Sequence, residues 1–257
     1  MNGQMYQICS IVAASKKAIQ SGSMIKYTPT SYENTIAFSF LPENKLFWAK
    51  KHTAPNVSAW FTYMKKKGLL DIKFLCPVTV KDRQLLGFSN TTESSILCFF
   101  KSGEISYFVA DWQFDSEKKQ WNILYSEHEW TGQPLKKPHF ENNIDSFRQV
   151  LSEIQSLADQ IGCKNFAHIF NSAKNLLDGS NEYPDEKYGF ALPQIPQDKL
   201  QIFEAASCAD VFGGMGSWND SPPYMAHEKG LDKEYENLSS ELLKNIRLAL
   251  LYAVNEW

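Results

Sequence analysis

The spacing of hydrophobic residues over the first 140 positions predicts strands together with two helices. Apolar residues recur at helical intervals over residues 6–20 and 56–67, and Gly22 and Gly68 follow these segments as helix stops. The other apolar segments are short, and several alternate with polar positions as half-buried antiparallel strands do. Strands are therefore predicted over residues 34–41, 45–49, 70–76, 84–89, 95–101, 104–114 and 120–130.

Beyond residue 140 the hydrophobic pattern changes to a helical period. A continuous apolar stripe predicts a helix over residues 144–161 and a second helix over 165–178. The short Gly-Cys-Lys connection between them favours an antiparallel helical hairpin. Two further helices are predicted over residues 197–212 and 232–255.

A linker and a change of charge divide the chain into two predicted domains. Prolines and a glycine in residues 131–140 are typical of a linker. Residues 1–140 hold 17 Lys and Arg against 11 Asp and Glu, a net charge of +6, whereas residues 141–257 hold 9 against 18, a net charge of −9. The sequence thus predicts an α+β protein, with an antiparallel β-sheet and packed helices in residues 1–140 and a C-terminal α-helical bundle in residues 141–257.

Composition and charge exclude several classes of protein. No apolar run approaches the roughly 18–20 residues that span a bilayer, and the N-terminus lacks the pattern of a signal peptide. The five cysteines are widely spaced and form no CxxC pair, which is typical of buried free thiols in a reducing compartment. We therefore expect a cytoplasmic protein with no membrane partner, no metal and no other cofactor.

The acidic C-terminal half also indicates the kind of partner. Such a surface repels nucleic acid and attracts a basic protein. Lysines and aromatic residues lie close together in the first half, but the sequence pI of about 6.0 is far from the basic footprint of a nucleic-acid-binding domain. We expect a protein partner and no nucleic acid.

The most unusual segment is Gly213–Asp220, with the sequence GGMGSWND, which we call the glycine turn. Gly213 is expected to end the preceding helix in the left-handed conformation, and Trp218 to fill the core between the last two helices. Asn219 and Asp220 are expected to form an Asx turn before the prolines that follow. Alternatively, clustered glycine N–H groups bind an anion or a partner's carbonyls. The candidate binding residues are Gly213, Gly214, Gly216, Ser217, Trp218, Asn219 and Asp220.

The motifs of familiar active sites are missing from the sequence. The glycine turn follows a helix and has no lysine after it, unlike a phosphate loop, and Ser217 lacks the second glycine of a nucleophile elbow. His227 begins an HE pair, but Leu231 stands where a metalloprotease needs its second histidine. The Glu-His-Glu run at residues 127–129 is interpreted as a solvated strand end. No catalytic residue is assigned, although a catalytic set assembled only in space remains an alternative.

Several residues of the C-terminal half match a family pattern: Ala167, Val211, Phe212, the glycine turn and the Leu-rich helix after it. On these residues, positions 143–257 resemble a family of small bacterial helical proteins with no established activity and a GGMGSFND motif. This chain departs from the pattern by Trp218 in place of Phe, by the Ser-Pro-Pro that follows and by an insertion at residues 180–195. Members of that family resemble the immunity-type genes found beside bacterial toxins, so the resemblance implies a protein partner.

These observations lead to the hypothesis of a non-enzymatic binding protein. We expect an immunity-type inhibitor that neutralises a cognate bacterial toxin by direct contact. A basic toxin domain is the expected partner, because complementary charge speeds capture. Two alternatives stay open: a hydrolase that uses the glycine turn as an oxyanion site, and a small-ligand-binding protein with a pocket between sheet and bundle.

Overall fold

A computed structural model of the chain describes residues 1–42, 52–131, 136–179 and 192–257. The helices are α1 (Gly3–Ser21), α2 (Val57–Lys66), α3 (Ile144–Gln160), α4 (Lys164–Leu177), α5 (Gln197–Ala209), α6 (Pro222–Glu228) and α7 (Asp232–Asn255). The strands are β1 (Glu33–Ser39), β2 (Thr53–Ala54), β3 (Leu69–Leu75), β4 (Ser95–Phe100), β5 (Ile105–Asp115) and β6 (Gln120–Glu129). A 3₁₀ turn covers Arg83–Gly87.

Asparagine side chains cap the starts of α1 and α2, and a glycine follows the end of α1 as predicted. The Asn2 side chain accepts a hydrogen bond from the Gln4 N–H and begins α1, which ends at Gly22 with a left-handed φ of 65°. Asn56 caps α2 in the same way by accepting from the Ala59 N–H at 2.8 Å. The helical spacing of apolar residues and the glycine stops explain why these helices could be predicted closely.

The six strands form one sheet in the order β2-β1-β6-β5-β4-β3. The α+β class is therefore confirmed. All neighbouring pairs are antiparallel except β1 and β6, which run parallel from Glu33 opposite Trp121 to Ser39 opposite Ser126. The expected all-antiparallel sheet is wrong at this pair. Alternation along a strand reports which face is buried but not the direction of the neighbouring strand.

Three local predictions differ from the structure, and one lies outside the described residues. The strand predicted over 84–89 is the 3₁₀ turn, because the Asp82 side chain accepts from the Gln84 N–H and starts a turn. Helix α6 was not predicted, because its two prolines suggested a loop. They occupy its first turn, where proline is well tolerated. Helix α5 ends at Ala209, three residues before its predicted end. The strand predicted over 45–49 lies outside the described residues.

The buried apolar side chains of both halves form one continuous cluster. On the sheet, Trp60 of α2 stacks on Phe38 of β1 at 4.6 Å, and the buried Tyr125 of β6 donates a hydrogen bond to Gln7 of α1 at 2.9 Å. Helix α7 packs on α3 and α5 and also reaches α1 and β3. The division into domains at residue 140 stays a prediction.

Two further expectations concern cysteines and the membrane. All five cysteines are free; Cys9, Cys98, Cys163 and Cys208 are buried and Cys76 is half-buried. Burial raises the pKa of the Cys9 and Cys98 thiols well above their ordinary value, which keeps them protonated and unreactive. In the parts of the chain that the structure describes, no helix combines the length and apolar character needed to cross a bilayer.

Candidate functional site

The connection between α5 and the glycine turn differs from the prediction. The helix ends at Ala209, and Gly216, with a φ of 78°, is the residue of the turn in the left-handed conformation. The expectation that Gly213 ends the helix in that conformation is therefore wrong. Residues 210–212 lie between the helix and the turn, and the Asp210 carboxylate accepts from the Asn2 N–H at 3.3 Å.

Side chains of the turn hold its backbone in one conformation. Ser217 donates its hydroxyl hydrogen to the Gly213 carbonyl at 2.9 Å and accepts from the Asn219 N–H at 3.2 Å. The Asp220 carboxylate reaches back and accepts from the Gly216 N–H at 2.8 Å. The expected Asx turn before the prolines is thus replaced by a bond that closes the turn on itself.

Trp218 fixes the turn to the helical bundle. The side chain is fully buried, as predicted, and its indole N–H donates to the Ser239 hydroxyl at 2.7 Å. Its ring lies 5.1 Å from Phe166 and 5.3 Å from Phe170, both edge to face. The Tyr235 hydroxyl donates to the Trp218 carbonyl at 2.6 Å. Trp218 therefore lies between α4 and α7, and the prediction that it lies between α5 and α7 is wrong.

The 3₁₀ turn packs directly against the glycine turn. A Cβ on Gly87 would lie 2.7 Å from the Gly214 nitrogen and 2.8 Å from the Gly213 carbonyl carbon, so only glycine allows this approach. The Asn219 side chain donates across the gap to the Arg83 carbonyl at 2.9 Å. Sequence reasoning missed this contact, because nothing near Gly87 signals a partner more than a hundred residues away.

Arg83 and Leu86 tie the 3₁₀ turn to the rest of the protein. The Arg83 guanidinium, which is mostly buried, donates to Glu236 at 2.8 Å and to Ser240 at 2.7 Å, both on α7. The Leu86 carbonyl accepts from the Asn2 side chain at 3.3 Å. The two turns are therefore held as one unit on α7 and the start of α1.

Large apolar side chains project into solvent from both turns. Met215 is 97% exposed, Phe88 is 65% exposed and Leu85 is 50% exposed. The exposed carboxylates of Asp82 and Asp220 belong to the same turns, and the exposed Glu236 binds Arg83. We call these side chains the two-turn surface: Leu85, Phe88, Met215, Asp82, Asp220 and Glu236.

The residues with possible catalytic chemistry do not converge on the glycine turn. In the described chain the Ser217 hydroxyl bonds only backbone groups of its own turn. His227 is exposed and pairs with Asp232 at 2.8 Å, and the hydrogen bond from His227 lowers the pKa of that carboxyl. Among the residues that the structure describes, no group of three or more His, Cys, Asp or Glu side chains could hold a metal ion.

The Glu-His-Glu run on β6 differs from its interpretation as a solvated strand end. Glu127 is buried and accepts from the Ser106 hydroxyl at 2.8 Å and from the Leu41 N–H at 3.0 Å. His128, on the opposite face, stacks on Tyr107 at 5.1 Å. The Glu127 carboxylate therefore joins β5, β6 and the end of β1, a structural role that the exposure typical of glutamate did not predict.

Comparison with protein-family models, curated proteins and solved structures found no match to this chain. The resemblance of positions 143–257 to the family with the GGMGSFND motif therefore stays a prediction.

Proposed function

We propose that this protein is a non-enzymatic binding protein that captures a basic protein partner on the two-turn surface, as an immunity protein neutralises a bacterial toxin. The observation that carries the proposal is the position of Met215. It projects almost fully into solvent from a turn whose backbone is held by Ser217, Trp218 and Asp220. A rigid support beneath an exposed apolar side chain is typical of a binding anchor.

A fixed backbone beneath exposed apolar side chains reduces the conformational entropy that is lost on binding. Methionine and aromatic residues are enriched at protein interfaces, and their burial supplies much of the affinity there. Phe88 and Met215 emerge beside the contact between Gly87 and Gly214, so they belong to neighbouring parts of one surface. Because both turns are already ordered, little conformational entropy is lost when a partner covers them.

The charge around the two-turn surface favours a basic partner. Asp82 and Asp220 are exposed, and the Arg83 charge that lies among them is paired with Glu236. Residues 213–244 hold six Asp and Glu against three Lys. Complementary charge raises the association rate with a basic domain and lowers it for acidic competitors.

The chemistry of the glycine turn supports binding over hydrolysis. A hydrolase needs a base within reach of its nucleophile as well as oxyanion donors, whereas the Ser217 hydroxyl donates to the Gly213 carbonyl. The resemblance to toxin-associated proteins supports the narrower proposal of an immunity-type inhibitor. Five free thiols fit a reducing compartment, and we propose the cytoplasm as the site of action.

The test uses basic proteins encoded beside the gene for this chain. Each is purified as a folded domain and titrated with the full-length chain, while growth of cells that produce the domain is followed with and without the chain. We expect a saturable complex and restored growth for one of them. Absence of both for every neighbouring product would overturn the immunity-type proposal.

A matched pair of variants locates the interface. The double variant Phe88→Ser with Met215→Ser removes both anchors, and we expect affinity to fall at least about tenfold. Met24→Ser removes another methionine, 87% exposed, that follows the opposite end of α1. Equal loss in both variants, or in neither, would refute the assignment of the two-turn surface.

A further inference from the structure

A cavity of about 220 Å³ lies between α1, β3 and the end of α7, on a part of the molecule that the proposed function does not use. Its lining is mostly polar. The residues around it are Lys16, Ile19, Gln20, Asp71, Lys73, Asn255, Glu256 and Trp257. The volume far exceeds the roughly 30 Å³ that one water molecule occupies in the liquid, so a small organic molecule fits.

Asn255 builds the floor of this cavity. Its side-chain amide accepts from the Phe74 N–H and donates to the Phe74 carbonyl, both at 2.8 Å, and so completes the open edge of β3. This pairing fixes the end of α7 on the sheet. The Asn255 carbonyl then accepts from the ammonium groups of Lys16 at 2.6 Å and Lys73 at 3.0 Å.

Two ammonium groups donate to the Asn255 carbonyl, although one cation is enough to stabilise the end of a helix. The last carbonyls of a helix are stabilised by a nearby cation, and Lys73 alone provides one. Lys73 is also balanced by Glu256, whose carboxylate oxygen lies 2.9 Å from its nitrogen. The same carboxylate binds His139 at 2.6 Å, and Asp71 binds Lys137 at 3.1 Å.

Lys16 is the cation of this group that has no ion pair within 4.0 Å among the described residues. Its residue is 5% exposed, and within the described ranges no carboxylate oxygen lies within 4.0 Å of its nitrogen. An ammonium has three N–H donors, and Lys16 directs one of them to Asn255. Burial of such a charge without a counter-ion is unfavourable. Burial first, and then the nearby Lys73, lowers the pKa of Lys16 to about 8, and the more distant charges of Asp71 and Glu256 only partly oppose this shift.

Trp257 borders the cavity beside Lys16. The Trp257 indole nitrogen is buried and has no hydrogen-bond partner among the described residues. The Trp257 ring lies 5.1 Å from the Lys16 nitrogen and gives the cavity an aromatic wall. The buried Lys16 charge and the Trp257 ring thus border a space large enough for a ligand.

We propose that this cavity binds a small organic carboxylate whose single negative charge balances Lys16. The carboxylate accepts hydrogen bonds from the Lys16 ammonium, and the hydrocarbon part of the ligand packs on Trp257 and Ile19. A monoanion fits best, because the other cations near the cavity, Lys73 and Lys137, already have carboxylate partners. The site is separate from the two-turn surface and does not depend on it.

The test uses sodium benzoate as the probe, titrated into the full-length chain at pH 7 with ionic strength held constant by sodium chloride. Calorimetry is expected to show saturable binding of one benzoate per chain. Lys16→Met, which keeps the length of the side chain and removes the charge, is expected to weaken binding at least about tenfold. Lys17→Met, an exposed neighbour on the same helix, is expected to bind as the wild type does.

A second measurement on the unmodified protein keeps the proposal testable if the Lys16 variant does not fold. Reductive methylation followed by mass spectrometry gives the reaction rate of each lysine with and without benzoate. We expect benzoate to slow modification of Lys16 and to leave Lys17 unaffected. Binding that does not saturate, equal loss in both variants, or an unchanged Lys16 rate at saturating benzoate would overturn the proposal.

Discussion

Replacement of Trp218 by alanine tests whether this side chain anchors the glycine turn to the helical bundle. The ring is fully buried against Phe166, Phe170 and Tyr235, so the substitution removes a large apolar side chain from a site with little room to collapse. Truncation of a buried tryptophan costs about 3–5 kcal/mol. The buried Ser239 hydroxyl also loses its indole donor, which adds about 1 kcal/mol. We expect the free energy of unfolding to fall by about 4–6 kcal/mol.

Urea denaturation followed by far-ultraviolet circular dichroism measures this change through the shift of the midpoint. Trp218→Phe separates the two contributions, because it keeps an aromatic ring and removes only the indole donor and part of the volume. We expect it to cost about 1–2 kcal/mol. A loss below about 1 kcal/mol for the alanine variant would refute the claim that Trp218 anchors the glycine turn.

Three further predictions concern single positions. Gly87→Ala places a methyl group against the Gly214 backbone and is expected to cost about 1–3 kcal/mol in thermal unfolding, whereas Gly214→Ala, with open space around its Cβ, is expected to change stability little. Asn255→Ala leaves two backbone groups of Phe74 unpaired and is expected to cost about 2–4 kcal/mol in urea denaturation. The lowered pKa of Lys16, about 8 against 10.5, means that the unfolded chain binds the extra proton between these pH values. As pH rises from 8 to 10, the free energy of unfolding of the wild type is therefore expected to increase relative to that of Lys16→Met, by up to about 1.4 kcal/mol per pH unit. Equal pH dependence of the two proteins would contradict this.

The helical half could be predicted well because its signals are local. The apolar stripes that define α3, α4 and α7 lie within single segments, and the burial of Trp218 follows from its place between such segments. The sheet was predicted less completely. The parallel pairing of β1 with β6 joins residues more than eighty positions apart, and no local period reports it.

The geometry of the glycine turn was predicted in part, for the same reason. The composition of the glycine turn marked it as unusual, but the contact with Gly87 depends on a 3₁₀ turn whose apolar residues also resemble a strand. No sequence pattern predicted that Lys16 of α1 and Lys73 of β3 are buried beside the end of α7. Lys16 lies on a helix where a lysine is usually solvated, and only the tertiary structure brings it to Asn255.

The central claim is that the two-turn surface captures a basic protein partner, and the dissociation constant of Met215→Ser tests it most directly. The measurement compares Met215→Ser with Met24→Ser and wild type against the basic domain encoded beside the gene, at low and at physiological salt. We predict that Met215→Ser binds at least about tenfold more weakly, that Met24→Ser binds normally, and that salt weakens wild-type association. Unchanged affinity of Met215→Ser, with the variant folded as stably as the wild type, would contradict the account.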